Sequence, residues 1–395
     1  MEAYLDNAAT TRVSGSVKDI MVEALEINYG NPSSMHRKGI EAENYIKEAK
    51  EIIAKTIKVD QKEIVFTSGG TESNNFALIG AALANARAGK HLITTRFEHP
   101  SVHNPLLALE EMGFKISFVS VDRNGLIDMD SLLNEICDET ILISIMHVNN
   151  EVGAVQDIAS IAKQIKSKKP DIIFHVDAIQ GFGKYKIYPK RENIDMMSVS
   201  GHKIHGPKGS GFIYIKDKLK IKPIIHGGGQ QKGFRSGTEN VPAIAGLAQA
   251  VKEIYENHEE KVARLYELKK HFIEEVSLIE DTKVNAIFEE ESELSLEERI
   301  KKTAPHVVSV SFAGVRSEVL LHSLEDQGVY VSAGSACASN HPSLSGTLQA
   351  IGIEKALLDS TIRFSFSVNT TMEEIDYALS VLKDILPKLR RYTRK

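Results

Sequence analysis

Lysine, aspartate and glycine stand in this chain at positions where a plain globular core has little use for them. In SVSGHKIHGPKGSG (198–211), Lys203 lies between His202 and His205, after a short apolar run and before a Gly-Pro turn. Lysine is rarely buried unpaired. An amine in a partly desolvated site can form a Schiff base with an aldehyde; the plainer alternative is a surface lysine near a turn. Asp177 closes the apolar run IIFHVDA, and Gln180 follows three residues on. A carboxylate at a buried strand end needs a cationic partner. A protonated pyridine nitrogen would serve, as would a basic side chain in a structural salt bridge. TSGGTESNN places Gly69, Gly70 and Thr71 where a strand gives way to a helix. Glycines admit close approach of a ligand, and the first amides of a helix hold an anion. Taken alone, this reads more readily as a capped glycine turn than as a phosphate cradle, because neither the Walker nor the G-x-G-x-x-G spacing is present.

Two cysteines are present, Cys137 and Cys337, and neither sits in a C-x-x-C pair. Cys337 lies in SAGSACAS among Gly334, Ser335, Ala336 and Ala338, a setting unsuited to core packing. It reads as an exposed, chemically usable thiol. Cys137, in NEICDET, has the periodic setting of a helix end and reads as structural. Arg363 in STIRFSFS suits a buried ion pair and a carboxylate clamp equally. His202 and His205 have no acidic or thiol ligand beside them locally, so no metal is expected. Pyridoxal phosphate needs a phosphate cradle, an acid at its ring nitrogen, a group stacked on the ring and a lysine. The segments above supply three of these, and His99 in EHPSV supplies the stack.

Those residues need a frame. Strand-like runs at 63–69, 91–99, 115–122, 140–150, 172–180, 195–203 and 209–217 alternate with helical runs at 16–28, 40–57, 71–88, 101–112, 128–136 and 158–168. Several strands are apolar at consecutive positions, as strands covered on both faces must be. The alternation implies right-handed crossovers and a mainly parallel sheet, with ligands bound beyond the carboxyl ends of its strands. Nearly every predicted strand here ends in polar or reactive residues, Glu98-His99 and Asn149-Asn150 among them. A helical run over 242–275 and the charged stretch FEEESELSLEERIKK (288–302) precede a renewed strand at 306–312. The expected fold is α/β: a large domain with a seven-stranded, mainly parallel sheet flanked by helices, plus a smaller α+β C-terminal domain. The expected division is 1–14 packing with the small domain, 15–255 and 256–395.

The 395 residues are 42% hydrophobic and 26% charged with a formal net charge of −5, which are ordinary globular values. Dispersed basic residues argue against nucleic acid as a partner. Sparse cysteine suggests a reducing compartment. No apolar run is long enough to span a bilayer and MEAYLDNAATTR has no apolar leader core, so a cytoplasmic location is expected.

YLDNAATT, YGNPSSMHRKG, FTSGGTESNN, EHPSV, VNNEVGAVQDI, HVDAIQ, SGHKIHGPKGSG, HGGGQQKGFRSGTENV, SAGSACAS and IRFSFS together resemble the cysteine desulfurases of the nitrogen-fixation and iron–sulfur assembly type. These are class V aminotransferase-like, fold-type I pyridoxal phosphate enzymes, and the resemblance runs nearly end to end. It implies that Lys203 carries the cofactor and that His99 stacks on the ring and moves protons. Asp177 would pair with the ring nitrogen and Gln180 with the ring hydroxyl, with Asn150 nearby. Gly70, Thr71, Ser200 and His202 would hold the phosphate, joined by Thr238 from the second subunit of a homodimer. Arg363, helped by Asn31, would clamp the substrate carboxylate, and Cys337 would accept sulfur from L-cysteine. A sulfur-acceptor protein is implied as partner, with neither nucleic acid nor membrane. The chain departs from the family after Cys337, where NHPSLSG (340–346) replaces a LEPS-like stretch, and at 284–305, which is longer and more acidic. Selenocysteine lyase or cysteine-sulfinate chemistry on the same scaffold is the alternative activity. A catalytically silent sulfur-relay scaffold is opposed by the presence of Lys203, Asp177 and Cys337.

Overall fold

The computed structural model describes residues 1–289, 293–333 and 344–393. The main sheet has seven strands in the order Ile64–Thr67, Gly211–Ile215, Met196–Ser200, Ile173–Asp177, Thr140–Met146, His91–Thr95, Lys115–Val119. Gly211–Ile215 runs antiparallel to both neighbours, and the other adjacent pairs are parallel. Thr140–Met146 and Met196–Ser200 are buried at every position, which is why their sequences show no polar alternation.

Helices cover both faces. Arg37–Ile57 buries Ala42, Ile46, Ala49, Ile53 and Ile57, one apolar stripe at helical spacing, and ends at Lys58 in a left-handed conformation (φ 57°). Gly70–Asn75 continues through a π-helical turn, Phe76–Gly80, into Ala81–Asn85. Pro100–Glu111, Met129–Glu135 and Ile158–Lys168 follow successive strands, each capped by the side chain before it: His99, Asp128 and Asp157. The strands expected at 195–203 and 140–150 stop at Ser200 and Met146. In both, the sequence pattern runs past the last residue a neighbouring strand pairs. Lys203 therefore sits in a 3-10 turn, Gly201–Lys203, not on a strand.

A second core draws on both ends of the chain. Ala3 and Leu5 pack with Leu265, Phe272, Val310, Phe364 and Leu382. Ala3–Tyr4 pairs in parallel with Val329–Tyr330, and Asp6 bridges to Ser365. A four-stranded antiparallel sheet, ordered Ser332–Ala333, Thr361–Ser365, Val307–Phe312, Thr282–Val284, lies in this core. The helical run at 242–275 is two helices, Val241–Tyr255 and His258–Val276, broken at Asn257 (φ 48°). The charged stretch contains a short helix, Leu296–Lys301, closed by a Ser295/Glu298 capping box. Among the described residues no helix is long and apolar enough to cross a membrane.

Candidate active site

The carboxyl ends of the parallel strands bring Asp177, His99, Asn150 and the Lys203 turn to one side of the sheet. Asp177 is 2% exposed. Its Oδ2 accepts from Asn74 Nδ2 at 2.8 Å and its Oδ1 from Ile179 N at 3.0 Å. Burial raises its pKa, opposed by the Ile179 N–H, His99, Asn74 and Lys203. A carboxylate held by two neutral donors in so dry a place gains from a cation.

Asn74 also donates from Nδ2 to Ser101 Oγ at 2.9 Å, and Ser101 meets His99 Nδ1 through Oγ at 2.8 Å and N at 3.1 Å. The Ser101 N–H makes Nδ1 an acceptor, so a neutral His99 carries its proton on Nε2. Burial, with Lys203 adding and Asp177 opposing, lowers the His99 pKa and favours that neutral ring. An unbroken path thus runs from the Asp177 carboxylate through Asn74 and Ser101 to the His99 imidazole.

Lys203 Nζ donates to the carbonyls of Ala8 and Ala9, each at 2.6 Å. The Lys203 carbonyl accepts from Lys184 Nζ at 2.8 Å. Lys184 is buried, and desolvation with the neighbouring Lys203 charge pushes it down to about 7. Gln180 Nε2 donates to Ala8 O at 2.9 Å while its Oε1 accepts from His306 Nε2 at 3.1 Å. Gln180 and Lys203 therefore converge on the same N-terminal carbonyl. His202 meets Thr10 Oγ1 through Nδ1 at 3.2 Å, and burial, then Lys203 and Lys208, lowers it to about 4.

The candidate cradle is tight. Ser200 Oγ is buried with no hydrogen-bond partner. Gly69 adopts φ 146°, and a Cβ placed on Gly70 would lie 2.2 Å from Ile179 Cδ1. Thr71 is exposed beside them. Thr238 lines a cavity of about 170 Å³ with Ser68, Ser210 and Arg235 of its own chain. Arg235 is fixed there by a two-point ion pair with Glu72, at 2.8 and 3.3 Å.

Arg363 is 7% exposed. Its Nη2 pairs with Asp6 Oδ1 at 2.7 Å and its Nη1 donates to the Asn150 carbonyl at 3.0 Å. Its Nε is buried without a partner. The ion pair that the sequence left open is thus made, with Asp6, and donor capacity is left over. Asn31 is not tied to Arg363 by any hydrogen bond among the described residues: it is exposed, with its Oδ1 accepting from Ser33 N at 2.9 Å. Cys337 and the 340–343 part of the atypical loop lie outside the described residues, as do 290–292 of the acidic segment. Cys137 is exposed just past the helix Met129–Glu135, its Sγ 3.4 Å from His91 Nδ1, so it is a surface thiol rather than a packed one.

Sequence reasoning missed Asn74, Asp6, Lys184 and His306. Asn74 and Asp6 lie inside motifs already singled out, FTSGGTESNN and YLDNAATT. The other two carried no local signal, because what distinguishes them is burial.

The chain matches the family described as Aminotransferase class-V over residues 3–378. It is 42% identical over 389 residues to the cysteine desulfurase IscS of Dictyoglomus turgidum, covering 98% of this chain and 95% of that protein. It is 41% identical over 392 residues to the protein of the same name from Salmonella schwarzengrund, covering 98% of this chain and 93% of that one. Among solved structures, a NifS-like protein superposes with a TM-score of 0.90 at 35% identity, covering 98% of this chain and 100% of that chain. SspA in complex with cysteine superposes with a TM-score of 0.80 at 35% identity, covering 93% and 100%. This chain belongs to the class V aminotransferase family and, within it, to the cysteine desulfurases.

Proposed function

We propose that this cysteine desulfurase holds pyridoxal phosphate at Lys203 and moves the sulfur of L-cysteine onto Cys337, releasing L-alanine. The observation that carries the reading is the buried Asp177 carboxylate, held by Asn74 and Ile179 on the same side of the sheet as Lys203 and His99. The partnerless Ser200 Oγ and the close-approach glycines 69 and 70 fit a phosphate. The bound cofactor supplies an aldehyde for the lysine and an electron sink for the substrate Cα.

The chain's own residues do the rest. Asp177 keeps a positive charge on the ring nitrogen. Neutral His99 stacks and relays protons, its tautomer set by Ser101. Gln180 presents its amide toward the ring hydroxyl, oriented by His306. Arg363 binds the substrate carboxylate with donors that Asp6 and Asn150 leave over, helped by Asn31. Thr71, His202 and, across a homodimer axis, Thr238 complete the phosphate site. Lys203 Nζ takes the Cα proton and returns a proton to the substrate. The Cys337 thiolate attacks the substrate sulfur: the bond from Cβ to sulfur breaks, a sulfur–sulfur bond forms, and Cβ gains a proton. A thiol of ordinary pKa is only a few per cent ionised near pH 7, so a nearby proton acceptor or cation must help.

Residues 15–255 form the cofactor-binding domain, and 1–14 with 256–395 the small one. The persulfide passes in the cytoplasm to an acceptor protein serving iron–sulfur assembly or another thio-cofactor or tRNA thiolation route. The test is mass spectrometry after brief exposure to cysteine. One extra sulfur on the Cys337 peptide, with alanine in equal amount, supports the reading. Sulfur on Cys137, or normal alanine release by Cys337→Ser, overturns it. Lys203→Ala should lose the yellow colour of the bound cofactor.

A further inference from the structure

Glu151 follows Asn150 in the turn after strand Thr140–Met146, and none of the roles assigned above uses it. Its carboxylate accepts from two hydroxyls far away in sequence: Ser345 Oγ to Oε2 at 2.5 Å and Thr347 Oγ1 to Oε1 at 2.9 Å. Both hydroxyl residues are buried, at 7% and 6% exposure. Ser345 Oγ at the same time accepts from Leu348 N at 3.1 Å, capping the helix Gly346–Ala350. Its single proton is thereby committed to Glu151. The carboxylate is held in turn, because Asn149 Oδ1 accepts from the Glu151 and Val152 backbone N–H groups at 2.8 and 3.0 Å. Val152 packs with Phe97, Leu348 and Ile351 in one apolar cluster. The contact is a rigid joint between two elements, not a surface pair.

Its position gives it meaning. Cys337 stands eight residues before Ser345 and four after Ala333. On the near side, Ser332 pairs with Arg363 and Ala333 with Ile362 in the antiparallel ladder. On the far side, Ser345 and Thr347 are tied to Glu151, whose neighbour Asn150 receives Arg363 Nη1 through its carbonyl. Both chain ends that flank the thiol are thus fastened next to the same arginine.

We propose that Glu151 is a positioning residue for sulfur transfer. By holding Ser345 and Thr347 it sets where the chain leaves the Cys337-bearing stretch relative to the substrate carboxylate bound at Arg363. The proposal rests on the assignment of Cys337 as sulfur acceptor and of Arg363 as clamp. Misplacing a reacting group by about 1 Å can cost on the order of a hundredfold in rate. Early steps use the cofactor, Lys203, Asp177 and the Arg363 clamp, and the Glu151 carboxylate hydrogen-bonds to none of these side chains but to Ser345 and Thr347.

The experiment uses the holoenzyme and single turnovers with cysteine. It reads two signals: the change in cofactor absorbance on mixing, which precedes sulfur transfer, and the formation of alanine. Glu151→Ala should leave the absorbance change within about twofold of the parent and slow alanine formation tenfold or more. Thr347→Val should act in the same direction, and the double variant should be no slower than Glu151→Ala alone, because the two remove one joint. Glu151→Gln keeps an acceptor for Thr347 and a polar partner for Ser345, and should recover most of the rate. If Glu151→Ala does not fold, the Thr347→Val and Glu151→Gln pair carries the test. Equal slowing of both signals, no slowing of either, or additive effects in the double variant would overturn the proposal. Cys337→Ser separates it from the reading beneath it: that variant must keep the absorbance change and lose alanine. If it keeps alanine, the acceptor assignment has failed, not the Glu151 joint.

Discussion

Glu98→Gln should stabilise the cofactor-free protein at pH 7 and leave it nearly unchanged at pH 4.5. The Glu98 carboxyl is buried, with Oε1 accepting from Thr95 Oγ1 at 2.9 Å and from Met146 N at 3.0 Å, and with Oε2 partnerless. Desolvation, with the Asp177 charge adding to it, pushes its pKa from 4.5 up to about 8. Between those values the native chain keeps a proton that the unfolded chain has lost. Stability therefore falls as pH rises from about 4.5, and the loss is complete above about 8. At about 1.4 kcal/mol per tenfold change in proton concentration, the loss is about 3 kcal/mol at pH 7, about 4 kcal/mol at pH 8 and about 5 kcal/mol beyond. Glutamine has the same shape, keeps the Thr95 and Met146 bonds, and does not titrate. Urea unfolding of both proteins at several pH values from 4.5 to 8 gives the difference directly, and groups common to both cancel. A gap in stability that widens steadily with pH is the expected result. A gap that is constant over this range would refute the claim that Glu98 is held neutral.

Asn74→Ala removes one of the two donors on Asp177. A hydrogen bond to a charged group contributes about 1.5–3 kcal/mol, so pyridoxal phosphate affinity, read by absorbance titration, should fall about ten- to a hundredfold; a change under about threefold would contradict the support assigned to Asn74. Arg363→Lys keeps a charge for Asp6 but loses the forked geometry and the spare Nε donor. The KM for cysteine should rise about tenfold or more while the yellow colour persists, and an unchanged KM would remove Arg363 from the carboxylate site.

The sheet was legible because its strands are buried on both faces and read as continuous apolar runs. All seven were found, each overrun at its polar end. The gathering of Lys203, Asp177 and His99 beyond the strand ends was legible for a related reason: reactive residues at the ends of apolar runs are conspicuous. What supports them was not. Asn74 is one polar residue in a polar stretch, and only the fold shows that its single amide nitrogen serves both Asp177 and Ser101. Lys269 looks like any surface lysine of a charged helix, yet its ammonium is buried against Thr303 Oγ1, Ala304 O and Val307 O at 2.7, 2.7 and 2.9 Å. No local pattern encodes such partners, because they come from a strand and turn more than thirty residues away. The Asp6–Arg363 pair was hidden by distance along the chain in the same way.

That distance has a consequence for how the enzyme is made. Asp6 meets Arg363, and Ala3–Tyr4 pairs with Val329–Tyr330. The carbonyls of Ala8 and Ala9 meet Lys203. On the ribosome the large sheet has all its strands once residue 215 has emerged, and domains generally fold as they are synthesised. The N-terminal segment then waits for partners translated more than a hundred residues later, at the cost in loop closure that such long-range contacts carry. A nascent chain can therefore own a finished sheet and a lysine while still lacking the arginine that we propose binds the substrate carboxylate. Competence for the reaction is deferred until the last strand, Thr361–Ser365, has been made and has closed on the first residues of the chain.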